Sequence, residues 1–181
     1  MRIDLTGYAT DSIVRGALEL RHDRLSDLLA EELVVPLADA TLQALADGRL
    51  VRVAAVELRR PELALVAATG PRGNAGRRLA TARRPLVAQV GPYEVVGRLH
   101  GPSPNDPFEL LRRRPWVAVT DALVRYRLRG RPVAAHHPGV IINTALLAAI
   151  DGIDDVVLEL RLAAAVAAAR LDGPPTGRFV L

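Results

Sequence analysis

The sequence carries one pattern twice, and that repetition limits the folds open to it. Displaced by 82 positions, residues 24–53 lie over 106–135 without a gap, with eight of the thirty positions identical. Leu28 and Leu29 fall on Leu110 and Leu111, Val35 on Val117, Asp39 and Ala40 on Asp121 and Ala122, Gly48 and Arg49 on Gly130 and Arg131, and Val51 on Val133. An earlier stretch joins at a displacement of 81, with Val14, Gly16 and Leu18 over Val95, Gly97 and Leu99. A module of about 70 residues buries too little surface to be robust alone. The two copies are therefore expected to pack on each other as one pseudo-symmetric body. The chain divides into module one (1–69), an Arg/Gly/Pro-rich linker (70–91), module two (92–152) and a C-terminal helix with its tail (153–181).

Each copy reads as strand, short helix, strand, strand, with one strand more. Val14, Gly16, Leu18 and Leu20 alternate with Arg15, Ala17 and Glu19, the period of a half-buried strand. A glycine at the matching place in both copies marks a bulge or a close backbone approach. Leu25, Leu28 and Leu29 then take the spacing of one helical face. In copy two, Asp106, Pro107 and Glu109 form a capping pattern and Pro115 ends the helix. Val34–Leu37 and Trp116–Val119 are the most apolar strands, and Gly48-Arg49 and Gly130-Arg131 sit at hairpin turns. Residues 51–58 and 63–68 read as strands, 131–139 as a looser connection, and 140–150 as a strand. Val156–Arg170, with its run of alanines before Gly173-Pro174-Pro175, predicts a C-terminal helix. The fold class is α+β, mostly antiparallel β. With half the residues hydrophobic and six aromatic, the core is built from Leu, Val, Ile and Ala.

Arg24-Leu25-Ser26-Asp27-Leu28-Leu29, followed by an apolar strand ending in Leu37-Ala38-Asp39-Ala40, resembles a small bacterial β-rich domain of unknown function. In that family a glycine-bearing strand leads into Arg-Leu-Ser-Asp and a leucine-rich turn, then a strand closing in Thr-Asp, then one ending near Val-Asn. Copy two keeps Val119-Thr120-Asp121 and Ile142-Asn143 but has Asp106-Pro107-Phe108-Glu109 in place of Arg-Leu-Ser-Asp. Copy one keeps that stretch but has Ala38 for the threonine and Val56-Glu57 at the end. The resemblance spans about two thirds of the chain and implies a fold, not an activity.

Candidate chemistry is sparse. Asp39 and Asp121 are carboxylates at matching places in apolar strands; brought together, they would share a proton or hold a cation, and kept apart, each would cap a bend in its strand. His100, His136 and His137 would make a zinc site only if Pro138-Gly139 turned the chain, because adjacent residues on a strand face opposite ways. No Walker loop, Gly-x-Ser-x-Gly elbow or His-x-x-x-His pair is present, cysteine is absent, and no cofactor is expected. Gly70–Gly76 is glycine-rich but lacks the Lys-Ser/Thr ending of a phosphate loop, and reads as linker.

The net charge of +4 is carried unevenly, and every basic residue is arginine. Between Leu63 and Tyr93 lie Arg72, Arg77, Arg78, Arg83 and Arg84 with no acid, and Arg112, Arg113 and Arg114 form a second knot. Glu31-Glu32 stands where copy two has Arg113-Arg114, a pairing of opposite charges that would draw the modules together. Three functions follow. The leading expectation is a non-enzymatic interaction or assembly module, with a protein partner or a second copy of itself. The alternative is nucleic-acid binding through the arginine clusters. The third is a small-ligand or metal-binding enzyme. The N-terminus lacks a signal-peptide pattern and no apolar run approaches a bilayer span, so a cytoplasmic protein without membrane contact is expected.

Overall fold

The computed structural model describes residues 1–69, 81–102 and 108–171. Ten strands form one antiparallel sheet: β1 (Arg2–Ala9), β2 (Ser12–Glu19), β3 (Val34–Ala44), β4 (Leu50–Arg59), β5 (Leu63–Thr69), β6 (Thr81–Val90), β7 (Tyr93–Pro102), β8 (Trp116–Leu128), β9 (Arg131–Asn143) and β10 (Leu147–Gly152). Helix α1 (Leu25–Glu31) lies between β2 and β3, α2 (Phe108–Arg113) between β7 and β8, and α3 (Asp155–Leu171) follows β10. Their order across the sheet is β10-β6-β7-β8-β9-β5-β1-β2-β3-β4. The first half therefore reads 5-1-2-3-4 and the second 10-6-7-8-9. The halves join through β9 and β5, at Leu65 with Ile142 and Val66 with Ile141. A twofold relation would also pair β4 with β10, and among the described residues these two strands are the sheet's free ends.

Local hydrogen bonds recur between the halves. The amide of Thr10 donates to Glu62 O (3.2 Å) and that of Gly91 to Leu146 O (2.9 Å); the amide of Arg60 donates to Leu33 O and that of Thr144 to Pro115 O, both at 2.9 Å. Each half also bulges at its glycine: pairing of β2 with β3 shifts between Arg15 and Ala17, and of β7 with β8 between Val96 and Arg98. A Cβ on Gly16 would lie 2.9 Å from Ala38 O, and one on Gly97 would lie 2.8 Å from Thr120 O. Facing these glycines, Asp39 and Asp121 take left-handed backbone angles (φ 51° and 49°), which short polar side chains tolerate best after glycine.

Two stretches depart from the sequence reading. Residues 81–90, assigned to the linker, form β6 between β10 and β7. Pro85 looks like a breaker, yet β10 reaches only to Gly152 opposite Leu86, so no ladder donor is needed from Pro85 on that side. Residues 131–139, read as a loose connection, belong to β9, paired with β8 from Leu128–Arg131 to Trp116–Asn143. Its hairpin turns on Arg129 and Gly130, both at positive φ (54° and 72°), the two-residue geometry that matches strand twist. Strand β1 was likewise not anticipated. The capping residues Asp106 and Pro107, and the linker through residue 80, lie outside the described residues.

Two apolar cores result. The first gathers Leu5, Val14, Leu18, Leu29, Val35, Leu37 and Leu58 under α1, and Trp116 of the second half enters it. The other gathers Leu86, Tyr93, Val95, Leu99, Val119 and Ile142 under α2, and Tyr8, Ile13 and Leu65 of the first half enter it. A smaller cluster fixes α3 by Leu158 against Val96 and Leu123. No helix among the described residues is long and apolar enough to cross a membrane.

Candidate functional site

The chain's three tyrosines meet where the halves join. Tyr8 at the end of β1 stands edge-on to Tyr93 (5.2 Å between ring centres) and to Tyr126 (6.1 Å), and Tyr93 to Tyr126 (5.9 Å). Tyr93 donates to Ala9 O at 2.5 Å and Ser12 O at 3.3 Å, so a second-half side chain holds the β1–β2 turn. The Tyr8 hydroxyl lies 2.6 Å from Nε2 of His137. Burial raises the pKa of all three phenols, foremost that of Tyr93, and lowers that of His137, which the neighbouring His136 and Arg15 depress further. With the phenol and the imidazole both neutral, this bond carries one proton between the Tyr8 oxygen and Nε2, and the imidazole tautomer sets which of them donates. The tips of the two long hairpins also touch, with Arg129 Nε donating to Asp47 O at 2.6 Å. Asn143, the one buried polar side chain among the described residues, donates to Leu63 O at 2.9 Å beside the β9–β5 junction. Sequence reading places the aromatic residues, these tyrosines included, mostly in core segments, and does not bring the three together, since they lie far apart in the chain. This cluster binds the halves to each other and spends its polar atoms doing so.

The residues singled out from sequence go to separate places. Asp39 takes Arg2 (2.7 Å), whereas Asp121 takes Arg98 (3.3 Å), whose guanidinium also reaches Asp155 and Glu159 on α3. The side chains of both aspartates are exposed, at 75% and 54%. His100 bonds Thr120 Oγ1 at 2.6 Å, its pKa lowered first by burial and then by Arg83. Within β9, His137 turns inward and His136 outward, and the Pro138-Gly139 turn that a shared metal would need is not formed. No group of three or more His, Asp or Glu placed to hold a metal occurs among the described residues. Arg83 and Arg84 are exposed on β6, Arg112, Arg113 and Arg114 at the end of α2, and Arg72, Arg77 and Arg78 lie outside the described residues. The opposite charges at matching places are used locally: Glu31 pairs with His22 and Arg113 with Glu109, both at 3.2 Å.

Two hollows remain. One of about 620 Å³ opens at the turn end, bordered by Asp11, Glu94, Arg125, Tyr126 and Val133. Another of about 270 Å³ lies between Arg84, Phe108 and Asp154. Neither gathers the aspartates or histidines named above. Exposed apolar side chains stand on β4, with Leu50 at 60% and Val51 at 42%, and on α3, with Val156 at 70% and Leu160 at 66%, beside Leu33 before β3. Compared with known proteins, the chain matches no family model, no curated protein and no solved structure.

Proposed function

We propose that this chain is a non-enzymatic interaction or assembly module, built from two copies of one sheet unit set head to tail. The observation that carries the reading is the edge at β4, a ten-residue strand at the end of the sheet that no other strand among the described residues pairs on its outer side, with Leu50 and Val51 in the open. An unpaired edge offers a row of backbone donors and acceptors that another strand can complete. The polar clusters support the same reading, because the tyrosines, His137 and Asn143 bond across the join. The recurrence of strand order, bulge and left-handed aspartate in both halves supports the duplication.

Capture from the native lysate tests the proposal, with the wild-type chain and Val53→Lys as paired baits. A protein retained by the first and lost by the second is the expected result. Failure to retain any protein, together with a monomeric chain, would sink the reading. Nucleic-acid binding is the second reading, favoured by one observation: Arg84 borders a hollow together with Phe108, the first residue of the helix whose end carries Arg112 and Arg113. Titration with random DNA and RNA at two salt concentrations decides it, since phosphate contacts weaken steeply with salt.

A further inference from the structure

We infer that β4 is a self-recognition edge: two copies of this chain pair antiparallel along β4 about a twofold axis between Ala54 and Ala55. The inference rests on the reading of the chain as an interaction module, and names its partner.

Natural sheets protect an edge by shortening it, bulging it, or placing proline and charge on it. The other free strand, β10, is protected: it has six residues, a register shift after Leu147, and ends in Asp151-Gly152. Strand β4 is longer and carries exposed charges of both signs, Arg52, Glu57 and Arg59, among its apolar side chains. It runs ten residues without proline, and its register with β3 is unbroken from Val34–Arg59 to Gln43–Leu50. Such an edge is stable in solution when another strand covers it. Inside the chain the corresponding strand β9 is joined by β5 at Ile141 and Ile142.

The occupant follows from the order of side chains. Residues 50–59 read Leu-Val-Arg-Val-Ala-Ala-Val-Glu-Leu-Arg. Turned on itself about the Ala54–Ala55 bond, the strand sets Val53 against Val56, Val51 against Leu58 and Arg52 against Glu57 of the second copy, each pair occurring twice. Opposite residues of an antiparallel pair share a face. In a regular strand this register would fail, because residues 53 and 56 would face opposite ways. Here the strand is not regular: opposite left-handed Asp39, the inward positions pass from Leu58 and Val56 to Val53, all packed against the first core. Val53 and Val56 therefore share the core-facing side across Ala54-Ala55, and alternation on either side of them places Arg52 and Glu57 together on the other face. Shifting the register by one residue sets Arg52 against Leu58 or Arg52 against Val56, so the charges lose their partners. Alanine at the axis lets the backbones approach. Identical patches meeting about a twofold axis give a closed dimer, not a filament.

Sedimentation velocity of the full chain over a concentration series tests this. The wild type is expected to reach twice the 19.5 kDa of one chain. Arg52→Glu and Glu57→Arg each put like charges together at two places per dimer, and each is expected to weaken association about tenfold or more. An equimolar mixture of the two variants is expected to recover the dimer, because each strand of the mixed pair then meets opposite charge at both places. The double variant is expected to recover it as well. Melting temperatures near wild type establish that the single variants are folded. A wild type that stays monomeric, or a dimer indifferent to both single changes, overturns the inference. A monomer whose β4 edge still captures another protein overturns self-pairing alone and leaves the interaction module standing.

Discussion

The two halves differ most sharply at one row of three side chains. Across β1, β2 and β3 the register aligns Thr6, Arg15 and Thr41; across β6, β7 and β8 it aligns Val87, Val96 and Leu123. Both rows lie one residue before the bulge glycine, on the face away from the short helix. The valine row needs a cover, and α3 supplies one through Leu158, which is fully buried there. The polar row takes no helix: Arg15 stands close enough to Tyr126 and His137 to lower the pKa of each against the effect of burial on the phenol and with it on the imidazole. At matching places in the strand order, the apolar row lies under a helix and the polar row stands beside the other half's Tyr126 and His137.

The largest effect is expected from breaking that cover. Leu158→Ala removes a wholly buried leucine and is expected to cost about 2–5 kcal/mol, and Leu158→Asp to release α3 and leave Val87, Val96 and Leu123 in water. For a chain of this size each kcal/mol moves the melting temperature by about 2–4 °C. Thermal unfolding followed by circular dichroism measures it, and an unchanged midpoint in Leu158→Asp would show that α3 contributes nothing to the second half. Thr41→Leu, which makes the first row more apolar without supplying a helix, is expected to change stability by less than about 1 kcal/mol.

Next come the bulge glycines, which test whether the halves are equivalent where they look alike. A Cβ on Gly97 meets Val119 Cγ1 at 2.6 Å and Thr120 O at 2.8 Å; on Gly16 the nearest contacts are Ala38 O at 2.9 Å and Leu37 Cβ at 3.1 Å. Alanine is expected to cost about 1–3 kcal/mol at either place, with Gly97→Ala the worse. Urea midpoints that rank them the other way would refute the comparison. Tyr93→Phe belongs in the same range: it leaves Ala9 O without its buried donor, at about 1–3 kcal/mol.

How far the sequence disclosed this fold can be argued from single residues. Gly16, Gly97, Asp39 and Asp121 were legible because a bulge constrains backbone as well as packing, and so calls for the same residue types wherever it occurs. The C-terminal helix was legible from its alanines. Strand β6 was not, because Arg83-Arg84-Pro85 has the composition of a turn and becomes a strand only where β10 stops short of Pro85. His136-His137-Pro138 misled for the same reason: β8 pairs with β9 through the proline and overrides its local preference. The tyrosine cluster was hidden for a different cause. Its members come from β1, β7 and β8 and have no shared spacing, so only the joining of the halves brings them together.

The smallest effect separates the halves by pH. His137 and His100 both belong to the second half's sheet, and burial lowers the pKa of each below the ordinary 6.5. On acidification the unfolded chain binds protons at these imidazoles before the folded chain does, so folding is favoured fully above about pH 6.5 and progressively less below it. The loss continues until the pH passes the folded-state values, where the proton difference vanishes. Between pH 7.5 and 5.5 the urea midpoint is therefore expected to fall. His137→Gln keeps a hydrogen-bonding partner for the Tyr8 hydroxyl and cannot titrate, so it is expected to flatten part of that slope while costing little stability at pH 7.5. A slope identical to wild type would mean that His137 is as readily protonated in the folded chain as in the unfolded one. In that case the Tyr8 hydroxyl could not be donating to Nε2 at low pH, and the join between the halves would rest on Tyr93, Arg129 and Asn143.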